Sequence, residues 1–62
     1  MKNKNFGMLR EKKQMSQVQV AKELGISKDY VNMLENNRRT PGFGLAKRIA
    51  DLFDTTIEEI FF

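Results

Sequence analysis

The stretch from Ser16 to Glu35, SQVQVAKELGISKDYVNMLE, predicts two short helices joined by one sharp turn. Ser16 and Gln19 form a capping box, which begins the first helix. Gly25 supplies the left-handed residue with which a helix most often ends, and Ser27 caps the second helix. Apolar residues at helical spacing predict one shared buried face: Val20, Ala21, Leu24, Val31 and Leu34. Two capped helices with a glycine between them predict a helix-turn-helix.

The chain resembles the lambda-repressor-like, or Cro/XRE, family of helix-turn-helix transcriptional regulators. In that arrangement Ala21 is small because the second helix crosses closely, and Gly25 makes the turn. The resemblance covers about Phe6 to Phe61 and implies an all-α fold of five helices, with residues 1–62 forming one DNA-binding domain. It is carried by Gln17, Val20, Ala21, Leu24, Gly25, Ile26, Val31 and Leu34, and also by Leu9-Arg10, Ser16, Glu35, Pro41 and Ile49-Ala50.

Three more helices are predicted around this pair. The first runs to about Lys13, with Asn3 or Asn5 as its cap, and turns Phe6, Leu9 and Met15 inward. The fourth runs from about Phe43 to Phe53 behind Pro41, which a first helical turn tolerates. Its apolar stripe consists of Phe43, Ala46, Ile49, Ala50 and Phe53. A second capping box, Thr56 with Glu59, opens the last helix.

Two helix ends depart from the family pattern. Asn37 and Asp54 stand where glycine is usual at the end of the third and fourth helices. Asparagine is the next-best residue for the left-handed conformation, so the departure at Asn37 is mild. At the start of the fourth helix, Gly42 replaces the usual serine cap, and Gly44 weakens the first turn.

A charged pair is implied by the resemblance. In the family, an arginine at the position of Arg10 commonly pairs with the glutamate at the position of Glu35. This pair would tie the first helix to the end of the third. The alternative is an arginine free on the surface.

Composition excludes several classes of protein. The chain has no cysteine and no histidine, which rules out disulfides and any metal site built on those ligands. No apolar run suits a signal peptide or a membrane span, so we expect no membrane partner. The lack of cysteine fits a reducing cytoplasm, and no small-molecule ligand is evident from the sequence. Ser16 and Ser27 have no histidine to activate them, and Glu58-Glu59 favours a helix N-terminus, so we predict no enzyme and no cofactor.

Charge is distributed unevenly along the chain. Residues 1–39 carry nine Lys and Arg against four Asp and Glu, a balance of +5, whereas residues 40–62 carry two against four, a balance of −2. The basic half contains the helix-turn-helix, as expected if that half faces phosphates. A solvated basic surface is the alternative.

Four residues of the third helix are predicted to contact base edges, by resemblance to the reading positions of the family. Lys28 could donate to guanine, Asn32 could pair with adenine, and Met33 could touch a thymine methyl. Asp29 could accept from cytosine N4, or it could interact with the helix dipole instead.

The predicted phosphate contacts surround these base contacts. Gln17 opens the second helix, and the resemblance implies that it contacts a phosphate through its side chain and through the helix N-terminus, which suits an anion. Asn36, Arg38 and Arg39 leave the third helix beside the groove and would hold the DNA backbone; a flexible basic loop is the alternative. Tyr30 either reaches a phosphate or lies against the helix surface.

A homodimer is expected because a single module of this size buries little surface on DNA. Leu52, Phe61 and Phe62 offer apolar surface for it through the fourth and fifth helices, unless they complete the core or the terminus is disordered. The sequence therefore predicts a regulator of a palindromic operator, and more readily a repressor than an activator. The rival hypothesis is an antitoxin-like or adaptor module that captures a protein through the Phe61-Phe62 end.

Overall fold

A computed structural model describes residues 4–61, with the backbone alone for Lys4. These residues form five α-helices, which confirms the predicted all-α class. The helices are α1 Lys4–Lys12, α2 Gln17–Leu24, α3 Lys28–Glu35, α4 Phe43–Leu52 and α5 Ile57–Phe61. Asn3 and Phe62, for which the sequence predicts a cap and a dimer contact, lie outside the described residues.

The turn between α2 and α3 has the predicted chemistry. Ser16 Oγ accepts from the Gln19 amide at 3.1 Å, and Gln19 Oε1 accepts from the Ser16 amide at 2.8 Å, which completes the capping box. Gly25 is left-handed, with φ of 69°. Ser27 Oγ accepts from the Tyr30 amide at 3.1 Å and begins α3. The helix-turn-helix prediction is confirmed.

One apolar core joins all five helices. Phe6 of α1 meets Phe53 edge-on, with ring centroids 5.3 Å apart, in a geometry that aromatic pairs favour. The largest side chains that are fully buried are Phe6, Leu34, Ile49, Val20 and Val31. Each such burial contributes roughly 1.5–3 kcal/mol, so these side chains fix how the helices lie against one another.

The first four helices end in the same hydrogen-bonded motif, in which a left-handed residue reverses the chain. After α2 this residue is Gly25, whereas the other three are Gln14, Asn37 and Asp54, with φ of 58°, 60° and 55°. After α3, for example, the Arg38 amide donates to Met33 O at 2.8 Å. The left-handed conformation predicted for Asn37 is confirmed, and Asp54 adopts it as well.

Two details of the predicted helices are wrong. Phe43 was expected in the core, but it is 77% exposed, because the apolar stripe of α4 runs past the edge of the core at its first turn. Asn5 lies inside α1, where its side-chain amide donates to Glu59 O of α5 rather than capping its own helix.

The length and polarity of the helices bear on membranes. Over residues 4–61, none of them combines the length and the apolar character that crossing a bilayer requires.

Candidate nucleic-acid interface

The inner face of α3 is held firmly by the core. Val31 and Leu34 are completely buried, and Tyr30 packs half-buried against the same cluster. The helix cannot rotate about its axis without exposing these side chains, so its outer face has a fixed direction.

The outer face of α3 is open to solvent. Lys28, Asp29, Asn32 and Met33 are all exposed, although Met33 only to 36%. Asp29, Asn32, Met33 and Asn36 recur at spacings of three and four residues, so they form one ridge along the helix. The four predicted base contacts therefore lie together on the surface opposite the core.

The Arg10–Glu35 pair predicted from the resemblance is present. Arg10 Nε donates to Glu35 Oε1, and Arg10 Nη1 donates to the Met15 carbonyl at 2.9 Å. The two side chains are only 16% and 14% exposed. The pair ties α1 to the last residue of α3. Through the Met15 carbonyl, Arg10 also holds the segment that leads into α2.

Gln17 also takes part in this network. Its Nε2 donates to Glu35 Oε2 at 3.1 Å, so both carboxylate oxygens of Glu35 accept hydrogen bonds. The sequence offered no signal for this contact, because the two residues are 18 positions apart and belong to different helices. Gln17 still occupies the first turn of α2, where backbone amides are available to an anion.

Asn36 is the first residue beyond α3. Its Nδ2 donates to the Asn32 carbonyl at 2.9 Å and lies 3.2 Å from Asn32 Oδ1. The spacing of four residues is the local signal that could have predicted an amide pair. Two and three residues further on, Arg38 and Arg39 are exposed in the segment that leads to α4.

The residues predicted for a dimer differ in how much surface they offer. Leu52 and Phe61 are half-buried and pack against the core cluster. By contrast, the side chain of Phe43, a member of the predicted apolar stripe of α4, is exposed to solvent. We call the depression beside it the α4–α5 groove; it has a volume of about 220 Å³. The groove is lined by Thr40, Pro41, Phe43, Ala46, Ile57 and Phe61.

Comparison with known proteins agrees with this geometry. The family model described as helix-turn-helix matches residues 7–60. Two HTH-type transcriptional regulators from Archaeoglobus fulgidus are 36% and 35% identical to the chain over 52 residues. Each alignment covers 84% of this chain, and 73% and 74% of the respective relative.

The family match includes the capped turn, the buried face of α3 and all but the first residues of α1. The resemblance inferred from the sequence is therefore confirmed over almost the same residues. The chain belongs to the helix-turn-helix family of the Cro/C1 type, a family of DNA-binding transcriptional regulators.

Proposed function

We propose that this protein regulates transcription by reading a DNA sequence through the major groove with α3. The observation that supports this most directly is the exposed polar ridge of α3, set opposite a completely buried face. A helix fits the major groove, where each base pair presents a distinct pattern of donors and acceptors. In a helix-turn-helix, the N-terminal residues of the second helix reach the base edges.

The first turn of α3 carries two charges of opposite sign. Lys28 is suited to guanine O6 and N7, which accept hydrogen bonds. Asp29 is suited to cytosine N4, and it also lies where the positive end of the helix dipole favours a carboxylate. Met33, one turn further along, supplies an apolar contact for a thymine methyl.

Phosphate contacts would fix the position of this ridge on the DNA. Arg38 and Arg39 are exposed beyond the end of α3, and the first turn of α2, at Gln17, offers backbone amides. Tyr30 is half-buried, and a phosphate contact there would come from its phenolic hydroxyl, which can donate. These contacts contribute affinity, whereas the ridge supplies sequence preference.

The active unit is a homodimer on a palindromic operator, with the two α3 helices about 34 Å apart, or one turn of DNA. The proposed interface is the face of α4 and α5, with Leu52, Phe61 and Phe62 joined by Phe43. An aromatic ring that is 77% exposed beside an apolar groove is the kind of surface that interfaces bury.

Sedimentation equilibrium of the wild type and of Phe43→Ser tests the dimer. We expect a micromolar monomer–dimer equilibrium that Phe43→Ser shifts toward monomer. Met8→Ser is the matched control, because Met8 is 65% exposed on α1 and does not line the α4–α5 groove. A wild type that is purely monomeric at micromolar concentration would contradict the dimer.

Repression is the proposed sense of regulation, with the bound dimer blocking access of polymerase to cytoplasmic DNA. A reporter with the recovered operator across its promoter should fall in expression when the protein is present. A rise in expression would assign activation instead.

Selection from random duplex DNA with the purified protein is the test of the function itself. We expect a palindrome whose half-sites are one helical turn apart. Lys28→Ala should then cost roughly 1–3 kcal/mol on that operator and relax one base position. Equal losses on all sequences would remove Lys28 from the reading ridge.

The rival function, an adaptor that binds another protein, is favoured by one observation, the exposed Phe43 beside the α4–α5 groove. It predicts weak DNA binding without sequence preference. The same selection separates the two functions, because an adaptor would recover no common sequence.

A further inference from the structure

We infer that Asn36 determines which base α3 accepts, because it holds the side-chain amide of Asn32 in one orientation. This inference rests on the proposed reading of DNA by α3. It gives Asn36 a role different from the phosphate contact predicted from the sequence.

The orientation of Asn36 follows from its hydrogen bonds. Its side chain lies 2.9 Å from the backbone carbonyl of Asn32, an oxygen that can only accept. The nearer atom of the Asn36 amide must therefore be the NH₂ group. The backbone amide of Asn36 donates to the same carbonyl at 3.0 Å, so main chain and side chain are fixed together.

The position of Asn36 is also fixed by the end of the helix. Asn37 follows in the left-handed conformation, and its amide donates to Leu34 O at 3.2 Å. Leu34 is completely buried. The backbone around Asn36 is thereby anchored to the core, although its side chain is at the surface.

The orientation of Asn32 follows in turn. Its Oδ1 lies 3.2 Å from the NH₂ group of Asn36 and accepts from it. With the Asn32 amide flipped, two NH₂ groups would face each other, donor against donor. The flipped form is disfavoured, so the Asn32 NH₂ group is turned away from Asn36.

This arrangement changes the base expected opposite Asn32. An outward NH₂ group donates, and guanine offers two adjacent acceptors, N7 and O6, in the major groove. Cytosine offers a donor there, which an NH₂ group cannot use. The bidentate adenine pair predicted from the sequence needs Oδ1 as well, and Oδ1 is directed toward Asn36. We therefore expect guanine at this position.

The arrangement also argues against a phosphate contact by Asn36. A phosphate oxygen only accepts, and the Asn36 NH₂ group already donates to the carbonyl and Oδ1 of Asn32. To hold a phosphate, Asn36 would have to give up one of these two bonds.

A double-mutant cycle on the selected operator tests the inference. Binding is measured for the wild type, Asn36→Ala, Asn32→Ala and the double variant, on operators that carry guanine, adenine or cytosine opposite Asn32. We expect the wild type to prefer guanine by about tenfold. Asn36→Ala should reduce that ratio severalfold and leave the preference at other positions unchanged. In the Asn32→Ala background, Asn36→Ala should change no ratio.

Two further variants provide controls. Asn36→Lys keeps a donor that can reach Asn32 Oδ1, so it should retain the preference for guanine. Arg38→Ala should weaken binding to every sequence equally. Melting curves of all variants check that the α3 end remains folded.

Two results overturn the inference, and they are distinguishable. If Asn36→Ala weakens binding to guanine and cytosine operators equally, Asn36 contacts phosphate, and the reading function stands without it. If the wild type itself shows no sequence preference, the reading function fails, and the inference fails with it.

Discussion

Gly25 and Gly44 show how the same residue can be required at one position and costly at another. Gly25 has φ of 69°, and Gly44 lies in the first turn of α4. Beyond the adjoining residues and, for Gly44, the backbone of its own helix, no heavy atom of the described chain lies within 4 Å of a Cβ placed at either site. Backbone conformation alone therefore distinguishes them.

Alanine at each of these two positions gives a matched pair of variants. Gly25→Ala should lower the free energy of unfolding by about 1–2 kcal/mol, because a Cβ resists the left-handed conformation. Gly44→Ala should raise it by about 0.5–1 kcal/mol, because alanine favours a helix over glycine. Urea denaturation followed by circular dichroism measures both. An unchanged stability for Gly25→Ala would contradict the role of the turn.

The Arg10–Glu35 pair leads to a second prediction at the residue scale. Arg10→Met keeps most of the apolar stem but removes the guanidinium. The largely buried carboxylate of Glu35 then loses its charged partner and keeps only the hydrogen bond from Gln17. We expect a loss of about 1–3 kcal/mol in the free energy of unfolding.

Lys47→Met is the control for Arg10→Met. Lys47 forms an exposed pair with Asp51, 3.3 Å away on the same helix, so the loss should stay below about 0.5 kcal/mol. Equal losses for the two variants would mean that the Arg10 pair is no stronger than a surface pair.

At the scale of helices, Lys13 and Asp54 link the end of α1 to the end of α4. Lys13 Nζ lies 2.6 Å from Asp54 Oδ2. The hydrogen bond from Lys13, together with its charge, lowers the pKa of the Asp54 carboxyl below its ordinary value. A lowered pKa in the folded state contributes stability above the unfolded pKa, and this contribution is lost as the pH falls through the folded value.

Lys13→Met should therefore destabilise the protein at neutral pH and raise the pKa of Asp54 toward its ordinary value. The difference in unfolding free energy from the wild type should shrink as the pH falls below about 4. Denaturation at a series of pH values and an NMR titration of Asp54 measure the two effects. A difference that does not change with pH would exclude the carboxylate as its source.

Helix positions and caps were largely predictable, because they depend on neighbours in the sequence. Ser16, Gly25 and Ser27 each act through residues within four positions, and all three behave as predicted. Phe43 shows the limit of this reasoning. Spacing gives a direction around the helix axis, but it does not tell how far along the axis the core extends.

At the candidate site, the sequence predicted which residues of α3 are exposed, but it did not predict every hydrogen bond between the helices. Exposure of the α3 ridge follows from the buried positions of Val31 and Leu34. The Gln17–Glu35 bond depends on how separate helices meet, which one sequence does not encode locally. The resemblance to a family supplied the Arg10–Glu35 pair, which spacing alone could not.

For the whole molecule, the uneven distribution of charge predicts a strong dependence of DNA binding on salt. Arg38 belongs to the basic half of the chain and is exposed beyond α3. Arg38→Ala should reduce the slope of log affinity against log salt concentration by about one, equally on all sequences. Fluorescence anisotropy over a series of salt concentrations measures the slope. An unchanged slope would remove Arg38 from the phosphate contacts.

The division of α3 into two faces has a consequence for how its specificity can change. Tyr30, Val31, Leu34 and Glu35 attach the helix to the rest of the molecule, whereas Lys28, Asp29, Asn32 and Met33 make no contribution to the core. The second set can therefore be exchanged for the corresponding residues of a relative without disturbing the scaffold. On the proposed reading of DNA by α3, a library varied at those four positions alone would sample new operators on an unchanged fold.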